Sequence, residues 1–294
     1  MSLAAILNPI DPEHALVFYH SSQKGRYNLA VHQLSVVCKP SFAYRDRNTA
    51  DGRIKSPLSD LAVSNFLGLV RVFGIANIPN DFTSSNPEAV ITQLSPTFNP
   101  VDKPSTALVQ PGDFSSIGSC GDANEGYVSF IKEIDGNPHL VTYTITNSKS
   151  TAENKDVGTA KYSKLAAHIV NGKPWVFFQH KNGSHIHYKN GSDTSCAEGS
   201  HFAVTHGASE PSLMFLYYRN TDGNVARVWC KDDKWSSETE VSSHHIDEGS
   251  AIAVVAHEDN IHVFFWNDGQ IVQEVDDMPS DDDLCTVGVA AEKI

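Results

Sequence analysis

The stretch from Ser250 to Val275 constrains the fold more than any other part of the chain. Its sequence, SAIAVVAHEDNIHVFFWNDGQIVQEV, predicts three short strands separated by the polar breaks EDN and NDG. The pair Asp268-Gly269 lies between two apolar runs and is a strong hairpin signal, because a type I′ turn needs positive φ at both central residues. Three strands alone cannot bury both of their faces, so we looked for repeats of this unit.

Five further segments show the same order of elements, a serine followed by a short apolar strand and then a hairpin. The six units begin at Ser2, Ser59, Ser116, Ser163, Ser200 and Ser250. Their start points lie about 50 residues apart on average, close to the period of about 40 to 50 residues of a β-propeller blade. We therefore predict an all-β fold, a six-bladed β-propeller with three to four antiparallel strands per blade.

The whole chain of 294 residues is predicted to form this one domain. The approximate blades are residues 2–58, 59–115, 116–162, 163–199, 200–249 and 250–294. Insertions rich in Pro, Asn, Asp and Ser, at 38–57, 78–87 and 95–113, are expected to be surface loops. Residues 284–291 are expected to form a last strand that completes or closes the ring. A pair of β-sandwiches, which also have short strands and frequent turns, is the alternative fold.

Composition and motifs narrow the classes of function. A net charge of −13 argues against nucleic acid or an anionic membrane as a partner. Five cysteines without CxxC spacing suggest neither a disulfide framework nor a zinc site, and the histidines show no metal-ligand spacing. The glycine-rich run 118–121 lacks a P-loop lysine, and no GxSxG motif is present. We expect no metal, no cofactor and, since the N-terminus has no basic leader, a cytoplasmic location.

The last three units resemble the blades of the fungal fucose-specific lectins, which are six-bladed propellers. The segments that carry the resemblance are VFFQHKNGSHIHYKNG, FLYYRNTDGNVARVWCKDDKW and VFFWNDGQIVQEV, each with an aromatic second strand and a third strand after a polar turn. The resemblance implies sugar binding by an Arg at the start of the second strand, a Glu early in the third and a stacking aromatic ring. Repetition across blades would add avidity.

The lectin residues are not kept as a set in this chain. The Arg position falls on Leu16, Arg71, Tyr127, Trp175, Met214 and His262, of which only Arg71 matches. The Glu position falls near Val31, Thr92, Thr142, His187 or Tyr188, Arg227 and Gln273. Glu274 is the only neighbouring carboxylate. We therefore expect no fucose binding through that constellation.

The chain is also similar to the fungal hetero-Diels–Alderases in its expected architecture, its lack of cofactor motifs and its apolar and aromatic content. That resemblance implies an enzyme joining a tropolone-derived quinone methide to a humulene-type sesquiterpene. Such a step needs two partners held close together and a donor to the enone oxygen. We predict Arg71 and His262 as catalytic residues. The predicted substrate-binding residues are Tyr127, Trp175, Trp266, His168 and His206. The alternative is a lectin of altered sugar specificity, so the partner is a small apolar molecule or a carbohydrate.

Overall fold

The computed structural model describes residues 2–23, 26–37, 42–49, 54, 60–78, 88–101, 116–147, 150–155, 158–160, 163–180, 185–187, 192–193 and 196–279. These residues form strands and turns, arranged as six antiparallel sheets. No helix that could cross a membrane occurs among them.

Each sheet consists of consecutive strands, and we call the sheets blades 1 to 6. The strands of blades 1 to 3 are β1 (Leu3–Leu7), β2 (His14–Gln23), β3 (Arg26–Ser35), β4 (Phe42–Thr49), β5 (Ala62–Phe66), β6 (Leu69–Ile78), β7 (Glu88–Ser95), β8 (Asn99–Pro100), β9 (Ile117–Gly121), β10 (Gly126–Ile134), β11 (Asn137–Ile145) and β12 (Ser150–Lys155). Those of blades 4 to 6 are β13 (Leu165–Val170), β14 (Lys173–Gln179), β15 (His185–His187), β16 (Ser192–Asp193), β17 (Phe202–His206), β18 (Met214–Arg219), β19 (Asn224–Lys231), β20 (Lys234–Trp235), β21 (Thr239–His245), β22 (Ile252–His257), β23 (Asn260–Asn267) and β24 (Gln270–Asp277).

The serine that opens the later repeats has a structural role. Ser163, Ser200 and Ser250 each precede the first strand of a blade. Each accepts a hydrogen bond at Oγ from a backbone N–H at the end of the second strand, at 2.6, 2.8 and 2.9 Å respectively. Each also donates to the carbonyl of the next residue, at 2.9, 3.0 and 2.8 Å. The hydroxyl thereby fixes the start of the inner strand to its neighbour, which explains why the serine recurs.

The hairpin turns form at Asp-Gly and Asn-Gly pairs, whose residues tolerate positive φ. Asp268 and Gly269 have φ of 48° and 70°, and Asn171 and Gly172 have 51° and 71°. Positive φ at both positions is the backbone of a type I′ turn, whose twist matches that of the flanking strands. The strands β22, β23 and β24 occupy the three segments predicted between Ser250 and Val275.

The core lies between the blades. Side chains of a strand alternate between its two faces, so each blade contributes one face to each neighbouring blade. Ala62 and Phe73 of blade 2 pack against Val128 and Phe130 of blade 3, for example. Blade 6 packs in the same way against blade 1, where Phe264 lies in one cluster with residues of β1 and β2. The ring is therefore closed, and the prediction of a six-bladed β-propeller is confirmed.

Each sheet lies within one of the six predicted blade ranges. The expectation of a surface loop at 38–57 was wrong in part, because residues 42–49 form β4. β3 pairs with β2 along one edge, and β4 pairs with the other edge. The segment 284–291 lies outside the described residues.

Candidate functional site

The strand register identifies equivalent positions in the six blades. In each blade an inner-strand residue lies opposite a second-strand residue, in the pairs Ala4–Phe18, Ala62–Phe73, Gly118–Ser129, Ala166–Phe177, Ala203–Tyr217 and Ala253–Phe264. The residue two positions before each second-strand member is Leu16, Arg71, Tyr127, Trp175, Phe215 or His262. The predicted Arg positions are thus equivalent, except that Phe215 replaces Met214. Met214 packs towards blade 4, whereas Phe215 packs towards blade 6.

The third-strand positions opposite these pairs are polar in most blades. The partners of Phe18, Phe73, Ser129, Tyr217 and Phe264 are Val31, Gln93, Thr142, Arg227 and Gln273. Gln93 therefore replaces the predicted Thr92. The register that pairs Phe73 with Gln93 runs unshifted to the Ile78–Glu88 pair, and the β-bulge lies beyond it, between Val72 and Phe73.

Arg71 lies in the gap between blades 2 and 3. Its Nη1 donates to Oε1 of Gln93 at 2.8 Å, and its guanidinium lies 4.8 Å from the centre of the Phe66 ring. The amide of Gln93 is fixed in turn by Thr97, whose hydroxyl lies 2.9 Å from Nε2. No carboxylate in the described part of the chain forms an ion pair with Arg71. The gap thus has an arginine at the predicted Arg position but an amide at the predicted Glu position.

His262 occupies the equivalent position between blades 6 and 1. Its Nδ1 lies 2.9 Å from Nε2 of Gln273, which also donates to the carbonyl of Ser35 at 3.2 Å. Burial lowers the pKa of His262, and the neighbouring His257 lowers it further, so the ring is neutral at pH 7. Trp266 lies on the same face of β23 and meets the Tyr19 ring edge-on at 6.0 Å. His262 and Trp266 therefore lie in the same gap, at different positions along β23.

Tyr127 faces a third gap, between blades 3 and 4. It is buried, and its hydroxyl donates to the carboxylate of Glu125. Burial and this contact raise the pKa of the Tyr127 phenol far above its usual value. Tyr127 thus holds the β9–β10 turn in place, a contact within its own blade.

The three remaining predicted residues meet between blades 4 and 5. His168 lies opposite Trp175 in the β13–β14 pair, and the rings of His168 and His206 approach edge-on at 4.2 Å. The His206 Nε2 lies 3.2 Å from the carbonyl of Ile169. Its Nδ1 is buried and has no partner among the described residues. Burial, together with His206, lowers the pKa of His168 to about 3.

Trp175 and His206 line a cleft of about 350 Å³ in this gap. Its polar wall includes Asn171 and the side chains of the β19–β20 turn, Asp232 and Asp233. The sequence did not single out these three residues, since turn-forming Asn and Asp residues are common throughout the chain. Asn171 lies in the turn before the strand that carries Trp175, and only the packing of blades 4 and 5 brings Asp232 and Asp233 to the same cleft.

The gap between blades 5 and 6 is already filled by a polar network. Arg227 donates to Oδ2 of Asp276 at 2.6 Å, and the Tyr217 hydroxyl donates to the same oxygen at 2.6 Å. The predicted Glu position of blade 5 is therefore occupied by a cation with a structural partner.

A buried ionic cluster that the sequence did not indicate spans blades 2, 4 and 5. Lys164 Nζ lies 3.0 Å from both carboxylate oxygens of Asp60, and His201 Nε2 lies 3.0 Å from one of them. Lys164 and His201 directly precede the inner strands β13 and β17, and Asp60 lies just before β5, separated from it by Leu61. Against the opposing effect of burial, Lys164 and then His201 hold the pKa of Asp60 well below its usual range. No three His, Cys, Asp or Glu side chains in the described ranges are grouped to hold a metal ion.

Solved structures similar to this one include lectins. The fungal lectin of Aleuria aurantia, described as a six-bladed β-propeller with a novel mode of fucose recognition, aligns with a TM-score of 0.63 at 13% identity, over 93% of this chain and 91% of that one. AofleA from Arthrobotrys oligospora aligns with a TM-score of 0.63 at 10% identity, over 93% and 82%. The SapL1 lectin, solved with α-methyl fucoside, aligns with a TM-score of 0.57 at 16% identity, over 95% and 96%.

No family model and no curated protein sequence matches the chain. At these identities the structural likeness shows the fold, which is that of the fungal lectin propellers.

Proposed function

We propose that this protein is a carbohydrate-binding propeller whose sugar site is the cleft between blades 4 and 5. The observation that carries the proposal is the cleft of about 350 Å³ in which Trp175 lies with Asn171, Asp232 and Asp233. Ligand pockets of about 300 to 1,000 Å³ with an apolar wall and a few polar groups are typical of small-molecule sites. The fold of known sugar-binding lectins supports the same conclusion.

The cleft suits a polyhydroxylated ring. An indole can cover the apolar face of a sugar, and ionised carboxylates accept strong hydrogen bonds from its hydroxyls. The amide of Asn171 can both donate and accept. No Lys or Arg is among the described residues that line the cleft, so we expect a neutral or amino sugar in preference to an acidic one.

Specificity should differ from that of the fucose-specific lectins. The position at which those lectins place Arg holds Trp175 in this cleft, so the bidentate guanidinium contact is replaced by an apolar surface. Arg71 retains the Arg position in another gap, but its partner there is the amide of Gln93. A glutamine accepts hydroxyl hydrogen bonds less strongly than a carboxylate does.

The hetero-Diels–Alderase activity stays a prediction of the sequence resemblance. The similar solved structures are lectins and lend it no support. Arg71 lies over Phe66 in the gap between blades 2 and 3, whereas His262 contacts Gln273, which bonds to Ser35 of blade 1. A small substrate in either gap would therefore meet only one of the two residues predicted to be catalytic.

A glycan array followed by calorimetric titration of the best ligand tests the proposal. We expect Trp175→Ala to weaken binding about tenfold or more, the equivalent of about 1.4 kcal/mol. Trp266→Ala is the matched control, since it removes an indole from a different gap and should leave the affinity unchanged. An array without a concentration-dependent signal, or equal affinities in wild type and Trp175→Ala, would contradict the proposal.

A further inference from the structure

The cleft between blades 4 and 5 has an acidic wall without a compensating cation. Asp232 and Asp233 both line it, and neither carboxylate forms an ion pair in the described part of the chain. The neighbouring Lys231 is held by Glu210 instead, at 2.7 Å. Lys234 follows the two acids in the chain but is not among the residues that line the cleft. Two uncompensated negative charges therefore face a ligand in this cleft.

The β19–β20 turn fixes the backbone of both acids. Asp232 and Asp233 have φ of 52° and 61°, the left-handed region that aspartate tolerates better than most residues do. Both residues are exposed, so a ligand can reach their carboxylates without displacing protein groups. An ion pair formed there stays partly in water and is screened by salt.

The other ionisable groups of the cleft add no positive charge. His206 directs Nε2 to the carbonyl of Ile169 at 3.2 Å, and its Nδ1 is buried, so neither ring nitrogen is open to a ligand. Burial raises the pKa of the Cys230 thiol to about 12, so this group is neutral. The indole of Trp175 also lines the cleft, and the face of an indole attracts a cation within about 6 Å.

We propose that the sugar bound in this cleft carries a free, protonated amino group, as glucosamine and galactosamine do. The indole of Trp175 covers the apolar face of the sugar, and the carboxylates of Asp232 and Asp233 hold the ammonium at its edge. Ammonium and carboxylate form charge-assisted hydrogen bonds, which are stronger than those of a neutral amide. This inference rests on the proposed sugar site and narrows its ligand from neutral or amino sugars to amino sugars.

Calorimetric titration with matched ligands tests the charge. Glucosamine and N-acetylglucosamine differ only in the acetyl group, and galactosamine with N-acetylgalactosamine is a second such pair. At about pH 6 the amine is protonated. We expect the amino form of at least one pair to bind about tenfold or more tightly than its N-acetyl form, because each exposed ion pair contributes up to about fivefold. Salt at about 0.5 M should remove most of this preference.

Two double variants locate the charge. Asp232→Asn/Asp233→Asn should weaken binding of the amino form about tenfold and leave that of the N-acetyl form unchanged, since Asn tolerates the positive φ of the turn. Glu258→Gln/Asp268→Asn is the matched control. It removes two carboxylates from turn positions of blade 6, with φ of 51° and 48°, that do not line the cleft, and should change neither affinity. Thermal melts confirm that each variant is folded.

The outcomes separate this inference from the proposed function. Equal binding of the amino and N-acetyl forms, with both weakened by Trp175→Ala, overturns the ammonium contact and leaves the sugar site in place. Cyclohexylamine has a ring of similar size and an ammonium but no hydroxyls, and should bind about tenfold more weakly than the amino sugar. Equal affinity for cyclohexylamine would overturn the assignment to an amino sugar. If no sugar of either form binds, the proposed function fails and this inference fails with it.

Discussion

Replacing Lys164 by methionine should test how strongly the ionic cluster holds the inner ends of blades 2, 4 and 5 together. Lys164 and Asp60 are both buried, and the ammonium contacts both carboxylate oxygens at 3.0 Å. Methionine keeps much of the side-chain volume but removes the charge. The carboxylate of Asp60 would then keep only His201, whose pKa is lowered by burial and by Lys164 itself.

The expected loss follows from this geometry. Removing one partner of a buried ion pair costs about 3 to 5 kcal/mol, because the other charge stays buried without compensation. At about 2.1 cal/mol/K per residue, the unfolding entropy of this 294-residue chain is about 0.6 kcal/mol/K. The variant should therefore melt about 5 to 8 °C below the wild type. Without Lys164, His201 can bind a proton more readily, so the loss should be larger at pH 8 than at pH 6.

Calorimetric melting of matched variants measures these differences. Lys155→Met removes the exposed pair between Lys155 and Glu153, at 3.2 Å, and should cost about 0 to 1 kcal/mol. The double variant Asp60→Leu/Lys164→Met has no carboxylate in this cluster that would be left without its cation. It should therefore be less destabilised than Lys164→Met alone. A Lys164→Met protein that melts within 1 °C of the wild type, or a double variant less stable than the single one, would refute the argument.

Two further predictions concern acid stability and packing. Burial lowers the pKa of His20 to about 4 and that of His168 to about 3, so stability that is complete above pH 6.5 should fall as the pH drops from 6.5 towards 4. Each ring accounts for about 1.4 kcal/mol of unfolding free energy per pH unit in this range. In urea unfolding at several pH values, the free energy of unfolding of His168→Gln should therefore fall with decreasing pH less steeply than that of the wild type, by that amount. An unchanged dependence on pH would exclude His168 as a source of the loss. Gly126→Ala should destabilise the protein by about 1 to 3 kcal/mol, because an added Cβ would overlap the buried ring of Phe66. Gly118→Ala, whose nearest contact would be 3.2 Å from Ala167, should cost less in the same assay.

The repeat of the sequence was sufficient to predict the architecture. Hairpin turns such as Asp268-Gly269 depend on local backbone chemistry, and the apolar strands beside them show which segments must be buried. The recurrent serine is also a local signal, because its hydroxyl bonds to the strand next to it. Such features need no knowledge of distant residues, so they could be recognised in order along the chain.

The candidate site was predicted only in fragments. Trp175, His168 and His206 were named from the sequence, and the structure brings them into one gap. Arg71 and His262 were paired as catalytic residues, but the ring places them in different gaps. The polar partners Asn171, Asp232 and Asp233 gave no signal, because turns throughout the chain use the same residue types.

The sequence by itself determined the repeated unit of strand and hairpin and the number of blades, since these depend on residues that are neighbours along the chain, but it did not indicate β4. Only the tertiary structure decided which side chains share a cavity or a charge. Asp60 and Lys164 are separated by 104 positions, yet their charged groups lie 3.0 Å apart. Trp175 and Asp233 likewise line one cleft from adjacent blades. Such contacts arise when the ring closes, because each blade must bury its faces against the next.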